Sequence, residues 1–99
     1  MARFDVYANP DGGGYLLDVQ ANLLGHLNTR VVAPLMRAAQ APLPADRLNP
    51  VFEIEGQQVV MVTQFLAAVP RSILAVPMLS LADRDMDISN ALDMVFQGI

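Results

Sequence analysis

The most constraining feature of this chain is that its hydrophobic period changes along its length, from two residues in the first half to a helical period at the end. Phe4, Val6 and Ala8 alternate with Arg3, Asp5 and Tyr7, and Tyr15, Leu17 and Val19 alternate with Leu16, Asp18 and Gln20. A period of two marks strands with one face turned to a core. Asn9-Pro10-Asp11-Gly12-Gly13-Gly14 lies between them as a dense turn signal, so the two segments read as a β-hairpin. The Gly triplet reads as the hairpin tip and not as a phosphate-binding loop, because neither a helix nor a Lys-Ser/Thr pair follows it. Residues 29–35 are β-branched and apolar, with Pro34 expected at an edge or a bulge because it cannot donate to a ladder. Residues 37–49 hold Pro42 and Pro44 and read as a loop or weak helix. Phe52 and Ile54 alternate with Val51, Glu53 and Glu55, and Gly56-Gln57 turns that strand into residues 58–62. Thr63 is placed to cap a single helical turn over 64–68, and residues 71–76, bracketed by Pro70 and Pro77, read as one more short strand.

Residues 81–99 read as a helix. Ser80 is a good N-cap with Asp83 three residues on, and Asp83, Asp85 and Asp87 lie early, where the helix dipole favours negative charge. Gly98 is a natural C′ residue. At roughly 100° per residue, Leu81, Ile88, Ala91, Leu92, Val95 and Ile99 form one stripe that packs on the sheet. Asn90, Asp93 and Gln97 point the other way, as does Met86, with Met94 and Phe96 on the flanks. These large apolar side chains either pack on neighbouring loops or a second copy, or form a surface that enters a partner. Five or more strands followed by one helix give an α+β class that is mainly β, with the sheet curled into a barrel.

Composition narrows the partners. The 99 residues make one domain, spanning 1–99. They are 54% hydrophobic and 16% charged, an excess of apolar surface that a homodimer accounts for most simply. The net charge is -4, all six basic residues being arginine, so phosphate backbones are repelled and nucleic acid is expected only indirectly, through a partner. The absence of cysteine fits a reducing cytoplasm and removes thiolate chemistry. The N-terminus lacks the apolar region of a signal peptide, and no apolar run is long enough to span a membrane.

No enzyme constellation stands out, and neither a metal nor a cofactor is expected. His26 is a lone histidine in a turn, a poor metal site without cysteine. Asp83, Asp85 and Asp87 are spaced by two and do not share a helix face. Ser72, Ser80 and Ser89 lack a nucleophile setting. Thr29-Arg30 is the one pair with a possible acid-base role, in a small ribonuclease.

Several segments resemble, in order, the CcdB family of toxins from toxin–antitoxin modules. Phe4-Asp5-Val6-Tyr7 looks like the family's first strand, and Leu17-Asp18-Val19-Gln20-Ala21-Asn22-Leu23-Leu24 is similar to its V-D-V-Q-S-D-I-I segment. Arg30-Val31-Val32-Ala33-Pro34-Leu35 is similar to R-x-V-I-P-L, residues 48–54 to an L-x-P-x-x-x-I strand, and residues 91–99 to the family's Gly-Ile ending. The resemblance implies an SH3-like barrel of antiparallel strands with a C-terminal helix, the fold shared by CcdB and MazF toxins, in a two-fold dimer. It implies a non-catalytic poison that enters the DNA gyrase A subunit and traps the topoisomerase on cleaved DNA. It also implies a CcdA-like antitoxin that wraps the toxin and joins it in repressing their own operon. Carried over by position, the gyrase contacts are Leu23, Leu24, Asp93, Phe96, Gln97, Gly98 and Ile99, and the antitoxin contacts are Asn9, Asp11, Gly13 and Arg37. The chain departs from the family at Gln97, where a tryptophan is expected, and in a shorter hairpin. Two other functions fit the same fold: a MazF-like ribonuclease, which needs a basic groove, and a non-toxic dimeric interaction module.

Overall fold

The computed structural model describes residues 1–98. Seven strands, β1 (Asp5–Ala8), β2 (Gly14–Asp18), β3 (Thr29–Arg37), β4 (Val51–Ile54), β5 (Gln57–Met61), β6 (Ala67–Pro70) and β7 (Leu79–Ser80), precede one helix, α1 (Asp85–Gln97). Every pairing is antiparallel, in the order β4-β5-β3-β2-β1-β7, and β6 joins β3 beside β5. The expected mainly-β α+β architecture therefore forms. The sheet is a half-barrel in which β4, β6 and β7 each leave one edge unpaired among the described residues.

The two hairpins follow from local chemistry. In the first, Ala8 pairs with Tyr15, the Asn9 N–H donates to the Gly14 carbonyl at 3.1 Å, and the Gly12 N–H donates to the Asn9 carbonyl at 2.9 Å. Gly14 is required at its end, because a Cβ there would lie 2.4 Å from the Leu35 carbonyl oxygen. In the second, Ile54 pairs with Gln57, leaving Glu55 and Gly56 as a two-residue turn. Their φ values of 53° and 76° make a type I′ turn, whose twist matches that of the strands. The turn thus falls one residue before Gly56-Gln57.

The core lies between the concave face of the sheet and α1. Val6, Leu17, Ala33, Leu35, Val59 and Met61 supply the sheet side, and Leu81, Ile88 and Ala91 supply the other. Each large side chain buried here stabilises by roughly 1.5–3 kcal/mol relative to exposure.

Six sequence expectations are corrected. Phe4 lies outside β1 with φ 75°, and Tyr7 is buried, not outward-facing. Tyr7 is covered because residues 71–78 cross the sheet's other face, where Leu74 packs with Tyr7, Leu16 and Val32 in a second, smaller core. Those same residues form a 3-10 turn at Arg71–Ile73, not a strand; the strand is β6, just before. Pro34 sits inside the central strand, opposite Leu16 on β2, and not at an edge. Its carbonyl accepts from the Val62 N–H at 2.9 Å, so its donorless nitrogen faces the same way, into the gap where β3 exchanges β6 for β5 as neighbour. Finally, α1 begins at Asp85. Ser80 ends β7, and its hydroxyl accepts from the Ala82 N–H at 3.1 Å, a local bond just ahead of a 3-10 turn (Ala82–Arg84) that leads into the helix and whose N-cap is Leu81. Thr63 opens a 3-10 turn (Thr63–Phe65) but does not cap it; its buried hydroxyl donates to the Leu48 carbonyl.

On the second face, Asp18 and Arg30 form an ion pair with both side chains fully buried. The Arg30 Nε donates to Asp18 Oδ2 at 2.9 Å and an Nη joins it there. Burial pushes the Asp18 carboxyl above its ordinary range, against the lowering effect of Arg30. Removing one member strands the other charge. Asp18→Ala is expected to cost about 3–5 kcal/mol in urea denaturation, while the joint replacement Asp18→Leu with Arg30→Met is expected to recover most of that loss.

Candidate protein-binding site

The buried pair lies at the base of a turn that presents two leucines. Asp18 Oδ1 accepts from the Gln20 N–H at 3.0 Å, and Gln20 Nε2 donates to the Leu24 carbonyl at 2.9 Å. Gln20 Oε1 accepts from the Val31 N–H at 3.0 Å, so this one side chain ties the turn to β3. Arg71 closes the far side by donating from Nη1 to the Gly25 carbonyl at 3.2 Å. With its backbone held this way, the 3-10 turn at Asn22–Leu24 points its leucines outward. Leu23 is 87% exposed and Leu24 42%. Neither is a core residue.

The end of α1 approaches the same place. Ile88 and Ala91 are fully buried and Leu92 packs against the core, which fixes the helix on the sheet. Its final turn is then left outside. Phe96 is 70% exposed, Asp93 and Gln97 are exposed, and their spacing puts all three on one face. Gly98 ends the helix with φ 74°, donating from its N–H to the Met94 carbonyl at 3.0 Å, as a C′ glycine does. Ile99 lies outside the described residues.

Leu24 and Phe96, remote in sequence, line one apolar cleft of about 410 Å³. Its walls also include Val31, Leu66 and Leu92, which pack against the main core, so its floor is continuous with the core. The structure therefore brings Leu24 and Phe96 together, with Leu23 beside Leu24 on its turn. It adds residues that sequence reasoning missed. Val31 and Leu66 carried no signal beyond being apolar. Arg3 also lines the cleft, and its one signal was its position beside an aromatic residue.

The other sequence-derived group lies elsewhere. Asn9, Asp11 and Gly13 are at the hairpin tip, where the Asn9 side chain accepts from the Asp11 N–H at 2.9 Å. Gly14 pairs with Met36, so Arg37 comes just beyond the tip, and a Cβ on Gly13 would lie 3.6 Å from Gln40 Oε1. These four residues thus share one end of β2 and β3, and the Leu24 turn follows the opposite end. A larger groove of about 560 Å³ lies along the first half of α1. Asp46, Arg47, Arg84 and Asp87 line it with mixed charge, and Arg84 is already paired with Asp87 at 2.8 Å. His26 is exposed in its turn. Among the described residues, no cluster of His, Cys, Asp or Glu is placed to hold a metal, and no helix is long and apolar enough to cross a membrane.

An antiparallel half-barrel with one helix laid across it is the fold of the MazF-type toxins. The structure is similar to that of the Mycobacterium tuberculosis toxin MazF-mt6, with a TM-score of 0.65 and 19% sequence identity, over 93% of this chain and 95% of that one. The family model for the CcdB protein matches residues 3–98. The chain belongs to the CcdB family, the toxins of toxin–antitoxin modules.

The exposure pattern separates fold from site. Phe96→Ala is expected to change unfolding free energy by no more than about 0.5 kcal/mol. Ile88→Ala, on the buried face of the same helix, is expected to cost about 2–5 kcal/mol. Thermal or urea unfolding of both variants checks the contrast.

Proposed function

We propose that the protein is a non-catalytic gyrase poison, which binds the DNA gyrase A subunit through the Leu23–Leu24 turn and the end of α1 and holds the enzyme on cleaved DNA. The observation that carries this reading is the cleft shared by Leu24 and Phe96. Two segments that the family resemblance names separately for one partner make one continuous apolar surface, with Asp93, Gln97 and Gly98 exposed beside it and Ile99 next in sequence. Apolar surface of this kind, rimmed by polar groups, is typical of a docking site. The working unit is a homodimer in the cytoplasm. Exposed Phe65 and the outer edge of β6, open among the described residues, supply surface for a second copy. A CcdA-like antitoxin engages the hairpin tip and Arg37, at the end of the sheet away from the cleft, and takes part in autoregulation.

The ribonuclease reading is less well supported. A site built on Thr29 and Arg30 needs the guanidinium at the surface to meet a phosphodiester. Here Arg30 has no exposed side-chain area and is held by Asp18. The net charge of -4 adds a general repulsion of RNA.

Expression in a host with a sensitive gyrase is expected to arrest growth, and the purified chain is expected to bind the gyrase A subunit while leaving RNA intact. Clean RNA cleavage without gyrase binding overturns the proposal. Phe96→Ala is expected to weaken gyrase binding roughly tenfold to a hundredfold, since burying that ring contributes about 1.5–3 kcal/mol. Gln97→Trp is expected to strengthen binding by about twofold to thirtyfold, through stacking on a partner cation worth about 0.5–2 kcal/mol. Surface plasmon resonance with the A subunit measures both.

A further inference from the structure

We propose that the Leu24–Phe96 cleft selects an apolar side chain carried next to a carboxylate on the partner, and that Arg3 is the residue that selects it. This rests on the gyrase reading and adds a specificity determinant to it.

Among the described residues, Arg3 is the only charged one lining the cleft. It is half-buried, and the structure holds it in place three ways. Its backbone N–H donates to Asn22 Oδ1 at 2.8 Å, its Nε donates to the Val19 carbonyl at 3.2 Å, and its guanidinium lies over the Phe4 ring, 4.6 Å from the centroid. Among the described residues its Nη groups have no hydrogen-bond or carboxylate partner, so the outer edge of the fork remains available. Phe4 reaches this position with a left-handed φ of 75°, a conformation that costs a bulky residue energy and is retained where the surroundings enforce it.

An immobilised guanidinium beside an apolar wall is a recognition element with two requirements. The wall, of Leu24, Leu92 and Phe96, takes an apolar side chain. The fork matches a carboxylate with two parallel N–H donors, and low water content around the pair strengthens it. A partner that fills the cleft without supplying a carboxylate leaves the cation desolvated and unpaired, which is a penalty and not merely a missing gain. The rest of the chain is net acidic, so an acidic partner is disfavoured elsewhere and oriented towards Arg3. The occupant is thus a segment of the gyrase A subunit with an Asp or Glu beside an apolar anchor.

The experiment is a titration of the gyrase A subunit, from a strain whose growth the protein arrests, with the full chain and with Arg3→Gln, Arg3→Lys and Phe96→Ala. Arg3→Gln is expected to bind at least about tenfold more weakly than the wild type, with affinity less sensitive to salt, and Arg3→Lys to fall between them. Equal binding by Arg3→Gln and the wild type, with Phe96→Ala impaired, overturns the role of Arg3 and leaves the gyrase reading standing. Absence of binding by the wild type removes both. Light scattering on the same samples identifies a different occupant: if Arg3→Gln loses its dimer, the cleft holds a second copy and the proposal fails. If Arg3→Gln does not fold, Arg3→Lys decides, and affinity equal to the wild type overturns the two-pronged pair.

Discussion

The ion pair between Asp18 and Arg30 sits where β2 ends and the chain turns towards Leu23 and Leu24. Two fully buried opposite charges contribute little net stability, because desolvation offsets most of their attraction. What they fix is position. Asp18 uses one carboxylate oxygen on Arg30 and the other on the Gln20 backbone, and Gln20 in turn holds Leu24 and Val31. An apolar pair in the same space would fill it but would have nothing to give the Gln20 N–H. The exposed turn is therefore tied by hydrogen bonds to the interior of the sheet, which keeps apolar side chains in water where free burial would otherwise draw them in.

The helix divides the same way along its length. Its buried residues, Ile88 and Ala91, lie in the first half and middle, and Phe96 stands in solvent at the end. The fold is secured by one set of residues and the cleft is formed by another, with Leu92 shared between them. A surface arranged like this can change at exposed positions such as Gln97 with little effect on folding.

Much of this was legible in the sequence because it depends on local rules. The hairpins, the β4–β5 alternation and the Gly98 terminus follow from period two, from glycine at positive φ and from capping. The misreadings have a common origin in contacts between distant segments. Tyr7 alternates as an outward residue and is buried because residues 71–78 return over it. Residues 71–76 look like a strand by composition, but β3 already has its neighbours on that side. Ser80 has the chemistry of a cap but only bonds the Ala82 N–H two residues on, because pairing with β1 holds residues 79–80 extended. In the cleft, Leu24 was found through family resemblance, and Phe96 through both the helical wheel and that resemblance. Arg3 was not found, since nothing local shows that an N-terminal arginine meets the end of a helix.

Pro34 has a consequence for how the chain avoids mispairing. A strand slipped by one residue must rotate about its axis to keep its ladder, which exchanges its two faces and its two hydrogen-bonding edges. In the native register the proline nitrogen points into the gap between β5 and β6, where no donor is needed. In the slipped register it would face β2 and interrupt the longest ladder of the sheet, while Arg30 would swing into the apolar core. One imino acid at the centre of β3 therefore acts as a key that rejects the one-residue slip.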